Sequence, residues 1–193
     1  LVDKQFSTVN QLILNELHSH IDLVEDISQY LITSGGKRIR PLVTLLVAAA
    51  LGDTDNAKQA KLATAIEFLH TATLLHDDVV DMSSLRRGKP TANANWGNAS
   101  SVLVGDFVYS RAFQLMVAVG NLSVMEVLSD TTVKIAEGEV QQLSEIGNID
   151  LNEAAYFEGI ERKTAQLFAG ACEEEASVAG ATREISSQLR ASG

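Results

Sequence analysis

Residues 76–88 of the chain read HDDVVDMSSLRRG, and they are the most informative stretch for predicting its fold. They include three carboxylates, Asp77, Asp78 and Asp81, on about one helical turn, and two arginines follow five and six residues after the last carboxylate. On a helix, Asp77 and Asp81 stand about 5–6 Å apart at Cβ. Two unit charges at that distance repel by roughly 3 kcal/mol at an effective dielectric of about 20. The stretch therefore predicts a helix end that needs cations.

Divalent metal ions and a diphosphate would satisfy both sets of charges. Oxygen ligands with no cysteine or second histidine nearby favour Mg²⁺, or Mn²⁺ in its place, over zinc. Arg86 and Arg87 suit phosphate because their planar guanidinium groups bind it bidentately. The alternative is a solvated acidic face followed by an ordinary basic turn. The spacing of the arginines and a second basic motif argue against that alternative.

The second motif is residues 35–41, GGKRIRP. Its two glycines end one helix, and its proline suits the first turn of the next. Between them lie three cations, close to the free backbone N–H groups of a helix start, which is a good anion site. Taken alone, the motif could be a solvated basic turn. In a chain of net charge −10, this concentration of cations fits a second diphosphate.

The composition favours a single all-α domain. The chain has 193 residues with only two prolines and 5% aromatic residues. Such a chain can bury one substantial core. Since no repeat or linker divides it, we expect one domain over residues 1–193. The single cysteine, Cys172, excludes an internal disulfide framework and fits a reducing, cytoplasmic environment.

Charge and hydropathy narrow the class of partner. The acidic balance argues against nucleic acid, whereas local cations and Mg²⁺ can still bind a phosphorylated substrate. No signal peptide or membrane span is visible, and the most apolar stretch, Pro41–Leu51, is too short to cross a bilayer.

Apolar spacing predicts a series of helices joined by short links. The expected helices cover about residues 7–34 with a break near 18–22, then 41–51, 55–81, 100–119, 123–146, a segment opened by Asp150, and a last segment capped by Thr182. Asp53 or Asp55 is expected to cap the third helix, and Asp150 with Glu153 resembles a capping box. Residues 82–98 are expected to form a polar loop or a short irregular piece.

These motifs resemble those of the trans-prenyltransferases, the isoprenyl diphosphate synthases of the polyprenyl synthetase family. The matching stretches are residues 36–41 (the GKRxRP motif), 77–88 (DDxxDxxxxRRG), 105–107 (GDF) and 163–165 (KTA). Their order and spacing fit across nearly the whole chain. Residues 67–81 and 99–113 resemble long-chain bacterial members of the octaprenyl type. The resemblance is therefore highly specific.

The resemblance implies an antiparallel helical bundle of the isoprenoid synthase type around a deep central cavity, in a homodimer. The implied reaction joins isopentenyl diphosphate to an allylic diphosphate such as farnesyl diphosphate. Mg²⁺ and cations would stabilise the departing diphosphate while water is excluded. A cytoplasmic enzyme is expected, with weak membrane association through its product.

The resemblance also assigns roles to single residues. Asp77, Asp78 and Asp81 would hold the metal; Arg86, Lys163, Thr164 and Gln142 would face the allylic substrate; and Lys37, Arg40, His70 and Arg87 would bind isopentenyl diphosphate. The expected catalytic residues are Asp77, Asp78, Asp81 and Lys163. His70 stands about two turns before Asp77, so one helix face can carry both. Without the resemblance, His70 would be interpreted as a core histidine and Lys163 as a solvated cation.

Side-chain volume predicts the product length. Ala72 and Thr73 lie a little more than one turn before Asp77, deeper in the expected cavity. A large aromatic there would stop a growing chain early, as in short-chain members of the family. Both side chains are small, so we expect a long product, and Ala72→Tyr or Ala72→Phe should shorten it. Phe113 and Met116 are candidates for the tunnel floor, although core packing explains them better.

The resemblance predicts a second aspartate-rich motif after Lys163, but the sequence reaches Gly193 first. We expect either a fragment that is inactive alone or a longer chain that carries the motif. The alternatives are a non-catalytic partner subunit, a terpene cyclase on the same fold, and a purely structural bundle. The intact first motif argues against the partner subunit, whereas the absent second motif favours it. A cyclase would have no use for Lys37, Arg40 and Arg87.

Overall fold

Helices form almost all of the regular structure in the computed structural model, which describes residues 1–193. The helices are α1 (Asp3–Glu16), α2 (Asp22–Thr33), α3 (Ile39–Leu51), α4 (Asn56–Val80), α5 (Ala92–Trp96), α6 (Asn98–Val119), α7 (Leu122–Ser144), α8 (Glu153–Ile160), α9 (Gln166–Val178) and α10 (Arg183–Ser192). A π-helical turn, Glu161–Ala165, joins α8 to α9. The predicted all-α class is confirmed.

Most predicted helix boundaries are confirmed to within a few residues. The expected break in the first helix separates α1 from α2. The Asp55 side chain caps α4 by accepting a hydrogen bond from the Lys58 backbone N–H at 3.1 Å. Thr182 caps α10 in the same way, from Ile185 at 3.4 Å. Short polar side chains at these starts satisfy N–H groups that have no partner inside the helix.

The predicted capping box opened by Asp150 is wrong. Asn152 caps α8 instead, and its side chain accepts from the Ala155 N–H at 2.9 Å. Asp150 belongs to the preceding turn, where its own N–H donates to the Asn148 side chain at 3.0 Å. Asp and Asn both cap helices well, so composition alone did not separate the two positions.

The predicted polar loop at residues 82–98 contains a small hairpin. Strand β1 (Leu85–Arg86) pairs antiparallel with β2 (Lys89–Pro90). The two-residue turn, Arg87-Gly88, has φ values of 52° and 76°, which is the pattern of a type I′ hairpin turn. The Tyr30 hydroxyl of α2 donates to the Pro90 carbonyl at 2.6 Å and holds the hairpin against the bundle.

The core surrounds α4, which packs most extensively against α6 and also against α1, α3 and α9. Phe68, Leu69 and Leu75 of α4 are almost completely buried. Each such side chain contributes about 1.5–3 kcal/mol relative to an exposed one. Gly105 allows α6 to pass close to α4, because a Cβ there would lie 2.4 Å from His76 Nε2. This packing fixes the last turn of α4, which carries the aspartates.

Helix α6 is long and apolar enough to span a membrane when length and composition alone are considered. The same composition is expected of a helix that packs in a core, and α6 lies along α4. It also carries Asp106 and Arg111, and the Arg111 guanidinium donates to the Glu16 carbonyl of α1 at 2.7 Å.

Candidate active site

A cavity of about 410 Å³ opens between the α2–α3 loop, the hairpin, α4 and α9. Its charged lining consists of Lys37, Arg38, Arg40, Arg86, Arg87, Lys89, Glu67 and Asp78, and His70 also lines it. We call this region the cationic cavity. All four residues that the sequence assigned to isopentenyl diphosphate line it, together with Arg86 and Asp78. Six cations against two carboxylates make it a strong anion site in an acidic protein.

The start of α3 places two of these arginines. Arg38 has a left-handed backbone with φ of 47°, which lets the chain turn from the loop that contains Gly35 and Gly36 into α3. Its guanidinium donates to the Asn10 side chain of α1. The Arg40 guanidinium lies 4.4 Å from the centroid of the Phe168 ring of α9. Cation–π contact orients this guanidinium while leaving its N–H groups available to a ligand.

The hairpin turn supplies a third arginine. The positive φ of Arg87 turns the chain back toward α2, and its guanidinium donates to the Gly35 carbonyl at 3.3 Å. The Lys89 ammonium donates to the Thr33 carbonyl at 3.3 Å. These contacts join the two basic motifs, which lie about fifty residues apart in sequence, into one cavity.

Burial and charge keep His70 neutral. Burial, with the positive charges of Arg40, Arg86 and Arg87, lowers the pKa of His70 to about 3. At neutral pH the ring therefore has one N–H donor and one acceptor nitrogen. It can donate one hydrogen bond to a phosphate oxygen without adding a charge to the cavity.

Asp78 and Arg86 form the best-defined ion pair of the site. The Asp78 side chain is only 7% exposed. Arg86 donates to it through Nε at 3.1 Å and through Nη2 at 2.8 Å. The Asp78 hydrogen bonds raise the pKa of Arg86. Since this carboxylate already has a cation, a metal ion would have to share it with Arg86 or displace the guanidinium.

Asp77 faces a different neighbourhood, because successive residues on a helix point about 100° apart. The Lys163 ammonium lies 3.5 Å from the Asp77 carboxylate and 3.0 Å from Glu139 of α7. It also donates to the Gln142 side chain at 2.8 Å. We call Asp77, Asp81, Glu139, Gln142 and Lys163 the acidic cluster. It contains three carboxylates and one ammonium.

The π-helical turn and a glycine bring Lys163 to this cluster. A Cβ at Gly138 of α7 would lie 2.9 Å from the Arg162 Cβ and 3.1 Å from the Lys163 nitrogen. Only a residue without a side chain lets α7 approach the turn this closely. Single π-helical turns often occur at functional sites because they re-aim side chains. Here the turn carries Lys163.

The cluster lacks enough positive charge. Burial and the Glu139 carboxylate raise the pKa of Asp77 to about 6, although Lys163 opposes the shift. Burial would lower the pKa of Lys163, but its hydrogen bond to Glu139 and the charge of Asp77 raise it. A divalent cation would relieve this repulsion.

The donor set fits Mg²⁺ bound together with a phosphate. The structure brings together no group of three His, Cys, Asp or Glu side chains suited to hold a metal ion by themselves. Mg²⁺ usually takes only one or two carboxylates and completes its shell with phosphate oxygens and water. Carboxylates at the end of α4 can serve an ion whose other ligands come from a diphosphate.

The remaining predicted residues form none of the hydrogen bonds or ion pairs described above. Asp81 is the exposed C-cap residue of α4, and its charge acts on Asp77, Arg86 and Lys163. Thr164 is exposed within the π-helical turn. Ala72 is completely buried and Thr73 is half-buried, its hydroxyl donating to the His70 carbonyl at 2.8 Å. Neither lines the cationic cavity.

Sequence reasoning missed four side chains of the site. These are Glu67, Lys89, Glu139 and Phe168. Arg38 was counted among the three cations of residues 35–41 but was given no role of its own. Helical spacing could have revealed two of them, since Glu67 precedes His70 by three residues and Glu139 precedes Gln142 by three. Phe168 could not be found this way, because its partner Arg40 is on another helix.

Comparison with known proteins identifies the family to which the chain belongs. Residues 21–193 match the model of the polyprenyl synthetase family. The chain is 50% identical over 184 residues to octaprenyl diphosphate synthase of Escherichia coli (strain K12), covering 95% of this chain and 57% of that protein. The chain therefore belongs to the polyprenyl synthetase family.

Two further relatives agree with that assignment. An all-trans-nonaprenyl-diphosphate synthase of Rhodobacter capsulatus is 47% identical over 179 residues, with 93% of this chain and 55% of the relative covered. A crystal structure of polyprenyl synthase from Caulobacter crescentus CB15, complexed with calcium and isoprenyl diphosphate, superposes with a TM-score of 0.93 at 48% identity. The superposition covers 98% of this chain and 57% of the Caulobacter crescentus chain. The chain thus spans less than two thirds of the length of these relatives.

Proposed function

We propose that the protein is a long-chain trans-polyprenyl diphosphate synthase, of the octaprenyl type, that condenses isopentenyl diphosphate with an allylic diphosphate such as farnesyl diphosphate. One observation carries the proposal. A cationic cavity and an acidic cluster lie on two sides of one helix end and are joined there by the Asp78–Arg86 pair. Two diphosphates, one of them with metal ions, match that arrangement of charge.

The cationic cavity would take isopentenyl diphosphate. Lys37, Arg40 and Arg87 would bind its diphosphate, and Arg40 keeps its N–H groups available because it rests on Phe168. Neutral His70 would donate a hydrogen bond to a phosphate oxygen. Charged hydrogen bonds to phosphate are about twice as strong as neutral ones, so the arginines would supply most of the affinity.

The acidic cluster would take the allylic diphosphate together with Mg²⁺, or Mn²⁺ in its place. Asp77, Asp78 and Asp81 would hold the ions, which neutralise the leaving diphosphate when they are bound. Lys163 would contact that diphosphate directly, and Arg86 would follow when Asp78 turns to the metal. Gln142 and Thr164 would lie beside the ions and the reacting carbons.

The reaction needs no protein nucleophile. The allylic carbon–oxygen bond breaks as positive charge is stabilised away from water. The double bond of isopentenyl diphosphate supplies the electrons of the new carbon–carbon bond. A proton leaves the adjacent carbon, and the released diphosphate accepts it. The new product is an allylic diphosphate one isoprene unit longer, so the cycle can repeat.

Product length would be set deeper along α4. Ala72 and Thr73 are small, and several relatives are named for long products. An aromatic side chain at either position should shorten the product. Because Ala72 is completely buried, Thr73→Phe is the better variant, since it has more room at a half-buried position. Unchanged product lengths in both Ala72→Tyr and Thr73→Phe would contradict this assignment.

The same proposal extends to the oligomeric state, the location and the partners of the protein. We propose a homodimeric, cytoplasmic enzyme whose long apolar product gives it a weak association with membranes. Its partners would be the two diphosphates and not nucleic acid, since the chain carries a net charge of −10.

The test is incorporation of labelled isopentenyl diphosphate by the full-length protein, with farnesyl diphosphate as primer. We expect Mg²⁺-dependent chain elongation that stops when EDTA is added. Release of diphosphate from the primer without consumption of isopentenyl diphosphate would instead indicate a cyclase. Activity only after addition of a homologous enzyme would indicate a non-catalytic subunit. Either of these results would overturn the proposal.

A further inference from the structure

Glu67 is the one carboxylate of the cationic cavity that has no ion-pair partner. It projects from the middle of α4, one turn before His70, and is half-buried. The other cavity carboxylate, Asp78, is taken by Arg86 at 2.8 Å. Glu67 forms no salt bridge, although six cations line the cavity.

Three arginines nevertheless influence Glu67 through their positive charges. Burial raises the pKa of Glu67, and the charges of Arg38, Arg40 and Arg87 all oppose that shift. These arginines come from three separate segments: the turn before α3, the first turn of α3, and the tip of the hairpin. Their own contacts are to Asn10, to the Phe168 ring and to the Gly35 carbonyl, and none of these groups is negatively charged.

The free cavity therefore holds like charges together with little compensation. Guanidinium groups on a turn and a hairpin tip can move apart if nothing attracts them to a common point. A carboxylate that paired tightly with one arginine would occupy the N–H groups that a phosphate needs. Glu67 lines the same cavity as all three arginines but is bonded to none of them. Its charge can therefore hold the three guanidinium groups near one point while their donors stay free for a ligand.

We propose that Glu67 is a positioning residue that holds Arg38, Arg40 and Arg87 around one diphosphate subsite before the ligand arrives. This inference rests on the proposed function, because it names the residue that prepares the isopentenyl diphosphate subsite. Preorganised groups bind more tightly because the cost of ordering them is met before binding.

The direction in which anion affinity changes when Glu67 is removed distinguishes this positioning role from a simple effect of its charge. Removing a carboxylate makes the cavity more positive, and on charge alone an anion would bind more tightly. If Glu67 gathers the arginines, removal should weaken binding instead. A merely structural role would lower the stability of the protein and affect both substrates alike.

The experiment compares Glu67→Gln, which keeps the shape, with Glu67→Asp, which keeps the charge. Glu126→Gln, at an exposed position of α7, is the control with the same change in net charge. In the full-length protein, we expect Glu67→Gln to raise the KM for isopentenyl diphosphate about tenfold through lost preorganisation. The KM for the allylic primer and the melting temperature should stay close to the wild-type values. Glu67→Asp should recover part of the loss, and Glu126→Gln should have no effect.

An unchanged or lower KM for isopentenyl diphosphate in Glu67→Gln would overturn the inference, as would an equal rise in both KM values with a lowered melting temperature. Calorimetric binding of inorganic pyrophosphate without metal keeps the test independent of turnover. If the wild-type protein does not consume isopentenyl diphosphate, the proposed function fails. Weaker pyrophosphate binding in Glu67→Gln would still support the gathering of the arginines, and equal binding would reject it.

Discussion

The cationic cavity and the acidic cluster share one helix end but are built in different ways. Arg38 and Arg87 of the cavity have a left-handed backbone, in a turn and in a hairpin tip. Asp77 and Glu139 of the cluster project from the long regular helices α4 and α7, and a π-helical turn adds only Lys163. The proposed anion site thus depends on irregular backbone, whereas the proposed metal site depends on helix packing.

The two regions also differ in how their charges are balanced. Apart from Arg86, which is paired with Asp78, the arginines of the cavity contact neutral groups, such as the Phe168 ring and the Gly35 carbonyl. Carboxylates of the cluster share a single ammonium, that of Lys163. Each region therefore has an excess of one sign, and a ligand of the opposite sign should stabilise it. The following predictions test this contrast.

Asp77→Asn should have the largest effect on turnover. Loss of one carboxylate that positions the metal should lower kcat about a thousandfold, because charge stabilisation of the leaving group is lost. The melting temperature of the free protein should not fall, since the mutation removes repulsion between Asp77 and Glu139. Steady-state kinetics and a thermal melt measure the two effects. Asp130→Asn, at an exposed position of α7, is the control. Retained turnover would contradict a metal role for Asp77.

Arg40→Met should act on the other region. It removes a charged donor from the cavity but keeps a long apolar side chain against Phe168. We expect the KM for isopentenyl diphosphate to rise about a hundredfold, as for a lost charged hydrogen bond, with little change in the KM for the primer. Initial rates at varied concentrations of each substrate separate the two constants. Arg183→Met, at an exposed position of α10, is the control. An equal rise in both constants would show that the two subsites are not separate.

Helix α9 carries two buried carboxyl groups that differ from both regions, because no cation lies beside them to stabilise a negative charge. Glu174 and Glu175 are completely buried, and their carboxylate oxygens have no hydrogen-bond partner. Burial and the charge of Asp53 raise the pKa of Glu175 to about 8. The folded state therefore keeps a proton that the unfolded chain loses above about pH 4.5, so stability falls as the pH rises from 4.5 toward 8.

Glu175→Gln should remove much of that pH dependence. We expect the variant to be more stable than the wild type at pH 8, on the order of 2 kcal/mol, and nearly equal to it at pH 5. Urea unfolding at the two pH values measures the difference. The same pH slope in both proteins would show that Glu175 is not buried as a neutral acid.

Gly138→Ala should have the smallest effect. The added Cβ would press on the π-helical turn and displace Lys163. We expect kcat to fall about tenfold and stability by about 1 kcal/mol, as for mild overpacking. Kinetics and a urea melt measure these changes. Gly159→Ala is the matched control, since its Cβ would meet nothing within 4 Å. If both variants behave alike, close packing at Gly138 does not position Lys163.

The sequence predicted the helical part of the molecule well. Apolar spacing identified the helices, and capping chemistry identified Thr182 and left Asp53 or Asp55 for α4, where the structure shows Asp55. It failed where backbone geometry decides the structure, since nothing in residues 82–98 indicated a type I′ turn formed by Arg87 and Gly88. A non-glycine residue with positive φ is uncommon, so the sequence alone favours a loop there.

The sequence predicted two diphosphate subsites and residues for each, but it did not predict that the neighbouring carboxylates Asp77 and Asp78 would face different cations. Asp77 and Asp78 are adjacent in sequence, yet they face Lys163 and Arg86 respectively. That division follows from the helical rotation of about 100° per residue and from where α7 and the hairpin pack. Helical spacing could have placed Glu67 beside His70, but the three arginines whose charges affect it come from segments that meet only in the folded chain.

The most direct test of the two-region account is calorimetric binding of isopentenyl diphosphate to the full-length protein in metal-free buffer. If the cationic cavity binds this diphosphate without metal, wild type and Asp77→Asn should bind it equally well, and Arg40→Met should bind it much more weakly. Binding that requires Mg²⁺ and is lost in Asp77→Asn would contradict the account, because isopentenyl diphosphate would then depend on the acidic cluster.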